Sequence, residues 1–64
     1  MPAGVVAILR DLPERQREVL VLRCYADLSE SQIASAMGMG KSAVRSLTTR
    51  AMSALQSGLR QLGN

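Results

Sequence analysis

Six polar side chains crowd one stretch of the chain: Lys41, Ser42, Arg45, Ser46, Thr49 and Arg50. Alternating steps of one and three residues bring them back to a common side of a helix, at roughly 100° per residue. Ammonium and guanidinium groups bind phosphates. Arginine also grips a guanine edge through two parallel hydrogen bonds, and Ser and Thr reach bases or phosphates. Arg45 is the best candidate for reading a base, and Lys41 and Arg50 fit phosphate contacts.

The charge distribution points the same way. Residues 1–32 carry Arg10, Arg15, Arg17 and Arg23 against Asp11, Glu14, Glu18, Asp27 and Glu30, a balance of −1. Residues 33–64 carry Lys41, Arg45, Arg50 and Arg60 and no acid, a balance of +4, which completes the net +3. A cationic half beside a near-neutral half fits a polyanion, nucleic acid first.

Other chemistry is excluded by composition. There is no His, Trp or Phe and a single Cys, Cys24. Without His the commonest general base is missing, and neither Ser-His nor Cys-His pairs can form. One Cys alone makes no internal disulfide, and with no His beside it no zinc site. The expectation is a protein that is not an enzyme, with no metal and no cofactor. No apolar run, Val19-Leu20-Val21-Leu22 included, comes near the roughly 18 residues of a membrane span. Met1-Pro2-Ala3 lacks the basic start and apolar core of a leader. The lone thiol fits a reducing cytoplasm.

At 64 residues the chain is one small domain. It has nine Leu and eight Ala and few, scattered β-branched residues, so helices must carry these side chains. Four helices are predicted, over residues 3–11, 13–26, 29–37 and 41–62. Val5, Ile8, Leu9 and Leu12 space the first as a short amphipathic helix, and Leu12-Pro13 ends it. Pro13 suits the first turn of the second. Ser29 and Gln32 form a capping box at the start of the third, with Leu28 and Ile33 as a hydrophobic staple. Gly38 supplies its left-handed end. Val44, Leu47, Ala51, Leu55, Leu59 and Leu62 draw an apolar stripe along the fourth, which Gly63-Asn64 closes.

The third and fourth helices meet the offsets of a helix-turn-helix. Ala34 is the small residue where the helices cross. Gly38 permits the turn four residues on, and Val44 anchors the second helix six further on. Ile33 and Leu47 complete the inward set, with Met37 and Met39. The fourth helix is then the recognition helix, its first turns directed into a major groove. The expected fold class is all-α: a small four-helix domain containing a helix-turn-helix, of the winged-helix-like DNA-binding class but without strands.

Three motifs in order now resemble a known family. They are Leu12-Pro13-Glu14-Arg15-Gln16-Arg17-Glu18-Val19-Leu20, then Leu28-Ser29-Glu30-Ser31-Gln32-Ile33-Ala34, then the stretch 38–51 with Val44-Arg45-Ser46 and Arg50-Ala51. Together they look like region 4 of a bacterial sigma factor, nearest the extracytoplasmic-function (ECF) group of the sigma-70 family, over residues 6–59. The resemblance implies a four-helix domain that binds the −35 promoter element, docks on the flap of the RNA polymerase β subunit and is often captured by an anti-sigma factor. Nothing resembles region 2, so the chain is either an excised domain or a naturally small protein. Three departures stand out. Gly40 replaces the usual Ser or Thr cap, Ser42-Ala43 replaces Gly-Thr, and Leu47 replaces an Arg or polar residue. Two other readings share part of the pattern: a LuxR-type helix-turn-helix regulator, and an interaction module with little DNA binding.

The second helix has apolar residues on more than one face. Val19, Val21, Leu22, Cys24 and Tyr25 are therefore expected to form a partner surface for the flap or an anti-sigma helix. Cys24 fits packing better than reactivity.

Overall fold

A computed structural model describes residues 3–63. Met1 and Pro2, read above against a leader, and Asn64, read as part of the last helix end, lie outside the described residues. The described chain is helical with no strand: α1 (Ala3–Asp11), α2 (Glu14–Leu20), a π-helical turn (Val21–Tyr25), α3 (Glu30–Met37) and α4 (Lys41–Leu62). α4 has 22 residues, about 33 Å at 1.5 Å per residue. It sets the 37 Å long dimension of the molecule, and α1, α2 and α3 all pack on it.

The core is Val19, Leu20, Ile33, Ala34, Met37, Val44 and Ala51, with Leu9, Leu12, Leu22, Leu28, Met39, Leu47 and Leu55 half-buried around it. α1 lies against the far half of α4. A Cβ on Gly58 would approach Ile8 to 2.9 Å, and one on Gly4 would approach Leu62 to 2.8 Å. The glycines thus let the two helices come close at both ends of α1. This cover is partial: Leu59 and Leu62 of the α4 stripe remain 42% and 56% exposed.

The start of α3 carries the capping box: the Ser29 hydroxyl accepts from Gln32 N–H at 3.2 Å, and Gln32 Oε1 accepts from Ser29 N–H at 2.8 Å. Its end is a Schellman closure. Gly38 is left-handed at φ 66°, and Met39 N–H donates to the Ala34 carbonyl at 2.9 Å. Leu28 and Ile33 both join the core, as a staple requires.

The second helix departs from the expected 13–26. Pro13 precedes it in an extended conformation, φ −53° and ψ 145°. The α-helix stops at Leu20, and the next turn widens: Ala26 N–H donates to the Val21 carbonyl, five residues back. One extra residue per turn rotates all that follows. The chain then reverses through Asp27, a non-glycine residue in the left-handed region at φ 55°. Aspartate is among the few side chains that visit it.

Candidate nucleic-acid interface

The helix-turn-helix is formed by α3 and α4 around the turn 38–40. Ile33, Ala34 and Val44 are buried at its centre, and Leu47 is half-buried against them. Leu47 therefore faces inward, where the stripe needs it.

Arg15 and Arg17 have a role that their spacing did not reveal. Arg15 reaches from α2 and donates through Nη1 to the Met37 carbonyl at 3.2 Å, at the end of α3. Arg17 donates through Nη1 to the Arg10 carbonyl at 3.2 Å, in the last turn of α1. Each guanidinium meets the negative end of a neighbouring helix and satisfies a carbonyl with no helical partner. The two arginines thus fix how α1 and α3 end against α2, and Arg15 holds the turn that orients α4.

Lys41, Ser42, Arg45, Ser46, Thr49 and Arg50 are all exposed. Arg45, Ser46, Thr49 and Arg50 line one shallow depression of about 410 Å³. Lys41 and Ser42 lie in the first turn of α4, whose cap is Gly40 with no side-chain hydrogen bond. The first intrahelical donor is Val44 N–H, to the Gly40 carbonyl at 3.0 Å. The earlier N–H groups of α4 are open to an anion, as a helix start provides. Not every hydroxyl is equally available. Thr49 Oγ1 donates to the Arg45 carbonyl at 3.0 Å, so its oxygen remains to accept from a base amino group.

Arg45 is engaged across the motif. Its Nε and Nη2 donate to Glu30 Oε2 and Oε1 at 3.3 and 2.9 Å. The side chains remain 71% and 35% exposed, so the pair sits on the surface and its guanidinium still faces solvent. The hydrogen bond from Arg45 holds the Glu30 carboxyl below its ordinary range, reinforced by the charges of Arg45, Lys41 and Arg23. This contact spans 15 residues of sequence, and no local pattern announces it.

A second surface lies away from α3. Val5, Leu9, Leu20, Val21, Cys24, Tyr25 and Leu55 line an apolar groove of about 330 Å³ between α1, the π turn and α4. Of the five residues read as a partner surface, Val21, Cys24 and Tyr25 reach it. Val19 does not. It is 0% exposed and belongs to the core, which corrects its assignment to a surface. Leu22 is half-buried on another side, beside Arg17 and Glu18. The reason is the π turn: it swings Cys24 and Tyr25 outward while α2 keeps Val19 and Leu20 inward. Cys24 is exposed rather than packed.

Among the described residues no group of His, Cys, Asp or Glu could hold a metal ion. No described helix is long and apolar enough to cross a membrane.

A helix-turn-helix with a cationic, acid-free second helix defines a small DNA-binding module. The family model described as "Sigma-70, region 4" matches residues 4–55, and the chain belongs to that family, a non-enzymatic transcription-factor domain. The RNA polymerase sigma-F factor of Kitasatospora aureofaciens is 38% identical over 50 residues, covering 78% of this chain. The match spans 17% of that relative's length.

Proposed function

We propose that this domain recognises the −35 promoter element in transcription initiation and docks on the RNA polymerase β flap, as region 4 of an ECF-type sigma factor working in the cytoplasm. One observation carries the DNA reading. The first three turns of α4 bury Val44 and Ala51 inward and expose Lys41, Arg45 and Arg50 outward, with an uncapped helix start beside them. Lys41, Ser42 and Arg50 bind phosphate or sugar in this reading, and Arg45, Ser46 and Thr49 face base edges. The apolar groove at Val21, Cys24 and Tyr25 supports flap docking, and an anti-sigma helix would compete for the same residues.

A titration of the 64-residue chain with a −35-like duplex at several salt concentrations tests the DNA arm. Each neutralised phosphate contributes about −0.9 to the slope of log K against log salt. Lys41→Ala flattens that slope by about 1. Unchanged affinity and slope in both Lys41→Ala and Arg45→Ala would end the DNA reading. Capture of the β flap by the wild type but not by folded Val21→Asp tests the second arm, and equal capture by both refutes it.

A further inference from the structure

We infer that Glu30 is a positioning residue for base readout: its carboxylate holds the Arg45 guanidinium so that the two-donor end faces a guanine. The inference rests on the DNA-binding reading of α4 given above.

The geometry carries it. Arginine has five N–H donors: one on Nε and two on each Nη. Glu30 takes the edge formed by Nε and Nη2, at 3.3 and 2.9 Å. That leaves the edge formed by Nη1 and the second N–H of Nη2. This remaining edge is the parallel pair that matches guanine O6 and N7. A carboxylate on the Nη1/Nη2 edge would occupy the end of the side chain that reaches furthest toward a groove; this one leaves that end open. The support is rigid as well. Glu30 is the first residue of α3, directly after the Ser29 cap, and both bonds of the capping box fix that start. The far end of α3 is tied by Arg15 to the Met37 carbonyl. Arg45 stands in the second turn of α4, beside Ser46, Thr49 and Arg50 in the same depression. An acid on a phosphate-binding face repels the backbone, so affinity for DNA in general gives no reason to place it there. Specificity does, because a long side chain ordered beforehand loses less freedom on binding.

The test is selection from a duplex pool with a randomised central segment, read as the base preference at each position, for the wild type, Glu30→Gln, Arg45→Lys and the double variant. The wild type is expected to enrich guanine at one position that Arg45→Lys abolishes. Glu30→Gln should lower that preference about 3- to 10-fold, the factor for ordering one long side chain. Preference elsewhere is retained, and affinity for a scrambled duplex is equal or higher because a negative charge is gone. In the Arg45→Lys background Glu30→Gln should change nothing further at that position. Melting curves for each variant separate these effects from unfolding, which would lower every preference and the scrambled affinity together. An unchanged or stronger guanine preference in Glu30→Gln overturns the positioning role while leaving DNA binding intact. A wild type that binds no duplex and enriches no base overturns the DNA reading, and the positioning role with it.

Discussion

Replacing Val19 and Val21 by alanine, one at a time, separates two residues that the sequence makes equivalent. Val19 is 0% exposed and Val21 is 40% exposed. Val19→Ala deletes two buried methyl groups, about 0.8 kcal/mol each in transfer alone, or ~1.6 kcal/mol. The cavity left in the core raises this to about 2–3 kcal/mol. A domain of this size holds only about 3–10 kcal/mol in total. At roughly 4–8 °C per kcal/mol, the melting temperature should fall by about 10–20 °C. Val21→Ala loses no more than about 1 kcal/mol of burial, and the better helix propensity of alanine returns about half of that. Its melting temperature should stay within about 3 °C of the wild type. Thermal unfolding followed by circular dichroism at 222 nm measures both. Equal losses, or a larger loss at Val21, would refute the placement of the π turn and of the groove above it.

Other outcomes follow from single contacts. Gly40→Ser should raise stability by a few tenths of a kcal/mol, because a cap is missing there and a Cβ at Gly40 meets nothing within 4 Å; urea midpoints at constant m read it. Gly38→Ala should lower stability by about 1–2 kcal/mol although the space is open, since φ is 66°. Arg15→Met should destabilise by about 1 kcal/mol through the lost bond to the Met37 carbonyl, and faster amide exchange at Gly38 and Met39 would locate the effect in the turn. For Glu30, a carbon-detected titration of its carboxyl should place the pKa below the ordinary value of 4.5. Because the folded value is depressed, the pair's stabilisation is complete above the unfolded value and is lost as pH falls through the folded one; Arg45→Ala should move the pKa back up.

What the sequence disclosed was whatever depends on neighbours in the chain. Ser29 and Gln32 are three apart, so their mutual capping is written in order, and Gly38 four residues after Ala34 marks the turn. The stripe through Val44, Leu47 and Ala51 gave the inner face of α4 because a 22-residue helix offers enough repeats to define a period. The run Val19-Leu20-Val21-Leu22 offered none. Four apolar residues in succession do not say which two face inward, and the π turn that decides the matter has no residue signature. The cross-chain contacts were illegible for a different reason. Arg15 with Met37, Arg17 with Arg10 and Arg45 with Glu30 depend on how helices cross, at separations of 22, 7 and 15 residues. The exposed end of the α4 stripe, Leu59 and Leu62, shows the converse: periodicity marks a face but not how completely the neighbouring helices cover it.

DNA binding by the exposed face of α4 is tested most directly by amide chemical-shift mapping. A −35-like duplex is titrated into the isotope-labelled chain at low salt. The largest shifts are expected on Lys41, Ser42, Arg45, Ser46, Thr49 and Arg50, with Val21, Cys24 and Tyr25 unmoved. Shifts concentrated at the apolar groove, or none along α4 at saturating duplex, would contradict it.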